Sequence, residues 1–250
     1  MTYLDGFVLA VPTASKQRFI EHASTADAVF KEHGAIRIVE AWGDDVPRGK
    51  LNDFYGAVQA GEDETVAFSW IEWPDKATRD SVMGRMEELS KSDERVSPEK
   101  NPMPFDGKRM IYGGFETIVD EGGGRGDYVD GIVLPVPTGN KEAYRQMSLR
   151  MAPFFLRNGA VRYVEGWGDD VPAGKQTDYR RAAHATDGET VVHSYIEWPS
   201  KEVRDAAWQQ IMTDESMQPS EAERDVFDGK RMFWGGFRPV VDIADPAAEG

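Results

Sequence analysis

Acidic side chains stand among aromatic ones at matching places along this chain: Asp5, Glu40 and Glu72, and again Asp130, Glu165 and Glu197. A carboxyl group among apolar neighbours loses hydration, so its pKa rises toward the range in which it exchanges protons near neutral pH. Near these acids in sequence lie Trp42, Trp70, Trp167 and Tyr195, and two arginines, Arg109 and Arg231, suited to positioning an anion. An apolar surface carrying a few fixed polar groups describes a small-molecule site. In an enzymatic version Glu40, Glu72 and Asp5 would do the work, with Arg109 holding an anion and the later acids repeating the arrangement. The competing reading is structural. The same acids would sit at strand ends, ion-paired to Arg37, Lys108 or Arg109, and the tryptophans would be core or interface residues.

The matching places exist because the chain repeats itself. Residues 3–80 and 128–205 align without a gap at an offset of 125, with 37 identities in 78 positions. The chain is therefore two copies of one domain joined covalently, and a residue found in one copy only cannot belong to a symmetric site.

Each copy reads as strand, helix, two strands, helix, strand. In the first, Tyr3–Val11 is rich in β-formers and stops at Pro12; a helix follows from Ser15, a plausible N-cap, to His33, with Gly34 as C′ residue. Strands over Ala35–Trp42 and Thr65–Trp73, a helix from Pro74 to about Lys91 and a last strand over Gly107–Val119 complete it. The Asp106-Gly107 and Asp228-Gly229 pairs suit tight turns, and Gly113-Gly114 and Gly235-Gly236 suit a bulge or a close backbone approach. This is the ferredoxin-like order, an antiparallel sheet with both helices on one face. The fold class is thus α+β: two tandem ferredoxin-like (βαββαβ) domains packed sheet to sheet as an internal pseudo-dimer. The expected bounds are 1–120 and 128–243, with a Gly-rich linker at 121–127 and a disordered tail at 244–250.

The blocks Tyr3-Leu-Asp-Gly-Phe-Val-Leu, Trp42-Gly-Asp-Asp-Val-Pro-Arg-Gly-Lys50, Phe68-Ser-Trp-Ile-Glu-Trp-Pro74 and Phe105-Asp-Gly-Lys-Arg-Met-Ile-Tyr-Gly-Gly-Phe115 resemble the YbaA-like family. That is a bacterial domain of unknown function within the dimeric α/β-barrel superfamily. The resemblance covers nearly all of each copy. It implies a barrel made by two domains, here an internal pseudo-dimer that leaves further homo-oligomerisation open, and it implies no reaction.

Alternation along the strands puts Tyr3, Asp5, Phe7 and Leu9 on one side, Ile36, Ile38, Glu40 and Trp42 on one side, and Val66, Phe68, Trp70 and Glu72 on one side. Were these sides to face inward, the barrel would hold a cavity for a small molecule, as a binding protein or a cofactor-independent enzyme. The alternative is a non-catalytic interaction protein with a barrel filled by its own side chains. Two further features give no cofactor or metal. The four histidines align with Met147, Asn158, Gln59 and Phe68, so none is shared between copies, which leaves only a copy-two arrangement of His193, Tyr195 and Glu197. Asp44, Asp45 and Lys50, with Asp169, Asp170 and Lys175, open a long connection that serves as a lid or cation site, as turn formers, or as an arm clasping the other copy, and Leu51–Val58 reads as an extra strand.

Composition narrows the partners. With 44 acids against 29 bases and a net charge of −15, the chain lacks the basic face that neutralises phosphates, so nucleic acid is not an expected partner. No apolar run is long enough for a membrane span, no leader is evident, and the absence of cysteine suits a cytoplasmic home.

Overall fold

The computed structural model describes residues 2–215 and 220–245. Repeat one comprises β1 (Tyr3–Pro12), α1 (Lys16–Glu32), β2 (Arg37–Asp45), α2 (Phe54–Ala57), β3 (Glu64–Trp73), α3 (Lys76–Met83), α4 (Met86–Ser92) and β4 (Ile111–Glu121). Repeat two comprises β5 (Tyr128–Pro137), α5 (Lys141–Arg157), β6 (Arg162–Asp170), α6 (Tyr179–Ala182), β7 (Glu189–Trp198), α7 (Lys201–Ile211) and β8 (Phe233–Ala244). Local chemistry explains most boundaries. Asp75 and Ser200 accept hydrogen bonds from the backbone N–H groups of Thr78 and Val203, which starts α3 and α7. Gly34, at φ 110°, turns the chain out of α1.

Several boundaries differ from expectation. Ser15 makes no side-chain cap, because a 3₁₀ turn over Thr13–Ser15 already leads into α1. The single helix expected to reach Lys91 is two, separated at Gly84-Arg85. The strand expected over Leu51–Val58 is the short helix α2: Asp53 accepts from the Gly56 N–H, and Asp178 does the same for Arg181 at the start of α6. The last strand of repeat one starts later than expected, at Ile111, and β8 runs through Ala244, into the span expected as tail; residues 246–250 of that tail lie outside the described residues.

The eight strands close into one barrel in the order β1-β3-β2-β8-β5-β7-β6-β4. Each repeat supplies a four-stranded antiparallel sheet, β4-β1-β3-β2 and β8-β5-β7-β6, and the seams β2–β8 and β4–β6 join them. Closure leaves no sheet edge unpaired. Both seams carry bulges near glycines, at Gly43/Asp45 and Gly114/Phe115. Among the described residues no helix is long and apolar enough to cross a membrane.

The barrel interior is packed solid. Leu4, Val8, Val39, Phe68, Phe115, Val129, Val133 and Phe237 meet there, all buried, and an eight-stranded barrel is just wide enough for side chains to fill it. At its centre the His193 ring stacks on Phe68 at 4.3 Å and 2°. Glycine makes this possible: a Cβ on Gly6 would come within 2.7 Å of His193, and one on Gly131 within 2.9 Å of Phe68. One end is stoppered by α2 and α6, whose Phe54 and Tyr179 reach into the core. At the other end Arg37 donates two hydrogen bonds to Glu197 (2.7 and 2.8 Å), Arg162 donates two to Glu72 (2.9 and 3.0 Å), and Trp70 stacks on Tyr195 between them at 4.1 Å. Both ion pairs run from one repeat to the other. Breaking one would leave an uncompensated buried charge, so they fix the pairing of the two sheets.

Candidate functional site

Among the described residues, buried side chains fill the interior where a ligand cavity was expected. The candidate residues divide between two faces, for a reason of register. Asp5 lies opposite Ile71, whereas Glu72 lies opposite Leu4 and Arg37. Opposed residues share a face, so Asp5 and Glu72 point to opposite sides of the same sheet. Trp70, Glu72, Tyr195 and Glu197 point into the barrel and belong to its charged stopper. Asp5, Glu40 and Trp42, with Asp130, Glu165 and Trp167, point outward beneath the helices. Arg109 and Arg231 sit at the rim near α2 and α6, bound in forked pairs to Glu64 and Glu189 at 2.7–2.8 Å, and meet none of the acids proposed for the site.

The cleft between sheet and helices holds the cavity. In repeat two a space of about 600 Å³ opens between the outer faces of β5 and β6 and the inner faces of α5 and α7. Its walls are apolar: Ile132 and Leu134 from β5, Met147, Met151 and Phe155 from α5, Trp208 and Ile211 from α7. Met212, Phe227, Met232 and Trp234 contribute further lining, and Trp234 stacks on Trp208 at 6.3 Å between ring centres. Unbranched, polarisable methionines adapt their shape to what they contact.

Two buried acids supply the polar part. Glu165 accepts from four hydroxyls. Tyr144 at 2.8 Å and Ser194 donate to one oxygen, and Tyr163 and Ser148, the latter at 3.4 Å, donate to the other. Burial pushes the Glu165 carboxyl up from its ordinary value, and the four hydroxyls pull it part of the way back. Tyr144 and Tyr163, buried beside that acid, are pushed well above the usual phenol range and keep their protons. Asp130 is bound by Trp198 Nε1 at 2.9 Å, Trp208 Nε1 at 2.7 Å and Arg204 Nε at 2.8 Å. Its carboxyl is likewise raised by burial, with Arg204 opposing. Arg204 also donates to Asp205 and to Asp45 of repeat one, so every acid around it draws on the same guanidinium.

Repeat one builds the corresponding place differently. Phe19, Ala23 and Ile38 stand where Tyr144, Ser148 and Tyr163 stand, and Asp27 stands where Ala152 stands. Glu40 keeps only its serine, Ser69, and faces Asp27, which is 5% exposed and has an oxygen without a hydrogen-bond partner. Burial raises Glu40 to about 7 and, with Glu40's charge adding to it, lifts Asp27 well above the carboxylate range. One copy thus carries a carboxylate ringed by hydroxyls beside a cavity, the other a buried pair of acids.

Of the expected site residues, the structure brings only Asp130 and Glu165 to the cavity. Missed were Tyr144, Ser148, Tyr163, Arg204, Trp208 and the methionines. The signal was present: Tyr144 and Ser148 are one helical turn apart and each replaces an apolar residue of the first copy. His193 lies inside the barrel, away from this cleft; burial lowers its pKa to about 3, and its Nδ1 is bonded to Tyr179 at 2.9 Å. The Trp-Gly-Asp-Asp segments clasp the opposite repeat: Asp44 accepts from Tyr128 and Asp169 from Tyr3, both at 3.0 Å.

A closed antiparallel barrel made from two ferredoxin-like halves, helices outside, places the chain in the dimeric α/β-barrel class, with the dimer contained in one polypeptide. The chain belongs to the family described as protein of unknown function (DUF1428), which matches residues 2–107 and 127–229. It is 54% identical over 121 residues to the uncharacterized protein YbaA of Escherichia coli (strain K12) and, to the same extent, to YbaA of Shigella flexneri; the match covers 48% of this chain and all of each relative. A proposed monooxygenase of Fusobacterium nucleatum has a similar structure (TM-score 0.59, 9% identity, 99% of this chain and 96% of that one). So does one of Lactobacillus acidophilus NCFM (TM-score 0.56, 10% identity, 99% and 98%). At such identities the likeness concerns the fold.

Proposed function

We propose that the chain binds a small, largely apolar molecule in the cleft beneath α5 and α7 of repeat two. The observation that carries this is the coincidence of the 600 Å³ cavity with a single buried carboxylate on which four hydroxyls converge. A cavity of that size suits a ligand of drug-like dimensions, and a few fixed polar groups in an apolar wall orient rather than merely retain it. Repeat one serves as the structural half, supplying Asp45 to the α7 wall. The filled barrel is what a non-catalytic interaction protein would also have, so the outer cleft is what separates the two readings. Native mass spectrometry on protein from its own host tests this one. A bound non-protein mass should accompany the 27.9 kDa chain and be absent from Met151→Trp, which fills the cavity. A bare chain in both would sink the proposal.

A cofactor-independent enzyme at the same cleft is the second reading. Glu165, lifted by burial and within reach of Tyr144 and Tyr163, is placed for proton transfer, and two proteins of the same fold are named as monooxygenases. Glu165→Gln should then stop consumption of the bound molecule while leaving it bound; unchanged consumption would remove catalysis from Glu165. The acidic, cysteine-free composition goes with a cytoplasmic location and no nucleic-acid partner in either reading.

A further inference from the structure

The hydrogen-bond polarity of the cleft restricts what can enter it. Tyr144, Tyr163 and Ser148 each own one hydroxyl proton, and each directs it at Glu165. Toward the cavity their oxygens therefore offer lone pairs and no hydrogen. Glu165 itself only accepts when ionised. Arg204, the lone cation among the described lining residues, is turned to Asp130, Asp45 and Asp205, and its buried Nη2 lies 2.8 Å from Asp130 without making a hydrogen bond. Around Glu165 the polar end is thus acceptor-only, and the formal charge of the lining, counting Glu165, Asp130 and Arg204, is −1. A carboxylate, phosphate or carbonyl ligand seated at Glu165 would find no free hydroxyl donor there, and desolvating its acceptor groups without replacement bonds is costly. A ligand carrying N–H donors and a positive charge would find the reverse. Ser148, whose contact with Glu165 is the longest of the four at 3.4 Å, is the donor such a ligand most readily replaces. The walls suit a cation as well, since the aromatic residues Tyr144, Phe155 and Trp208 line the space, and an ammonium is attracted to an aromatic face most strongly where water is excluded.

We propose that the ligand of this cleft is a hydrophobic amine bound as its ammonium ion, the N–H groups on Glu165 and its hydroxyls and the apolar body among the methionines and tryptophans. This rests on the binding function proposed above.

Three probes of one shape separate the two claims: 2-naphthylmethylammonium, 2-naphthylmethanol and 2-naphthoate, titrated against the intact chain at neutral pH by calorimetry and by quenching of tryptophan fluorescence, Trp208 being in the wall. The ammonium should bind at least about tenfold more tightly than the alcohol, a difference of one charge-assisted bond, and the naphthoate should not bind measurably. If the alcohol or the naphthoate binds as tightly as the ammonium, the amine assignment is overturned while the cavity stands as a site. If none of the three binds, the binding function falls with it. Glu165→Gln should lower ammonium affinity about tenfold or more and leave alcohol affinity within about twofold. Equal loss of both would make Glu165 structural, and an unchanged ratio would remove it from the site. Should that variant not fold, the ratio of the three probes on the unaltered chain still decides.

Discussion

Asp45, at the end of β2 in repeat one, accepts a hydrogen bond at 3.0 Å from Nη1 of Arg204, a residue of the cavity wall in repeat two. The pseudo-symmetric partner is Asp170, which accepts from Arg79 Nη1 at 2.7 Å. Each repeat thus holds the second-helix arginine of the other, and that arginine in turn holds the buried acid of its own first strand, Asp130 or Asp5. Both clasping aspartates are about half exposed, so solvent screens each contact and its worth is about 0.5–1 kcal/mol. Asp45→Ala should lower the urea midpoint by a correspondingly small amount. A loss several times larger would show that the clasp governs assembly of the barrel, and no loss at all that Asp205 suffices for Arg204.

The two interior glycines give a sharper expectation. Gly6→Ala puts a methyl group within 2.7 Å of the His193 ring, which is stacked on Phe68 and has no room to retreat. Overpacking of this kind costs about 1–3 kcal/mol. Gly131→Ala should behave alike against Phe68. Gly139→Ala meets nothing within 4 Å and should be neutral or slightly stabilising. Chemical denaturation of the three variants checks the contrast, and equal effects at Gly6 and Gly139 would mean that the barrel centre is not tightly packed.

This core shows where sequence reasoning reaches and where it stops. The repeat and the main strand–helix order were legible, because strand alternation and a 125-residue repeat are local or self-referential signals, and the two-domain barrel followed from the family resemblance. Which face looks inward was not. Alternation orders residues within one strand, whereas the relation between Asp5 and Glu72 depends on the register of β1 against β3, a long-range property. The cavity was hidden for a different reason. Requiring agreement between copies discards Tyr144, Ser148 and Tyr163, which are informative because they differ from Phe19, Ala23 and Ile38. Arg109 and Arg231 satisfied that requirement and are rim ion pairs.

The acid pair in repeat one predicts a pH dependence of stability with a definite sign. Glu40, raised to about 7 in the folded chain, titrates near its ordinary 4.5 when unfolded, and Asp27 is raised as well. Between those values the folded state binds more protons than the unfolded one, so stability is lost as pH rises from about 4.5 to about 7. The loss should amount to about 1–3 kcal/mol. Asp27→Ala, which installs what repeat two has at Ala152, should flatten that slope and make the variant the more stable protein at pH 8. Denaturant midpoints of both proteins from pH 4.5 to 8 decide it; parallel curves would show that the two acids do not interact.

The seams predict the behaviour of a separated repeat. Alone, repeat one would expose two full strand edges: β2, which pairs with β8, and β4, which pairs with β6. β8 is the counterpart of β4, and β6 of β2, so a second copy of repeat one offers the same partners in the same places. Its Phe68 would take the place of His193 over Gly6, an exchange of ring for ring in an apolar core. Arg37 and Glu72 would supply both ion pairs of the stopper, since Arg162 and Glu197 are their repeats. Residues 1–120 expressed alone should therefore form a two-fold dimer, measurable as a doubled mass by light scattering. The YbaA relatives, matched along their whole length by 48% of this chain, are single repeats of that kind. A folded monomer would show that the stopper and seams require the differences between copies. Arg37→Leu should then be the variant that separates the two cases, abolishing both ion pairs of a dimer at once but only one of the two in the intact chain.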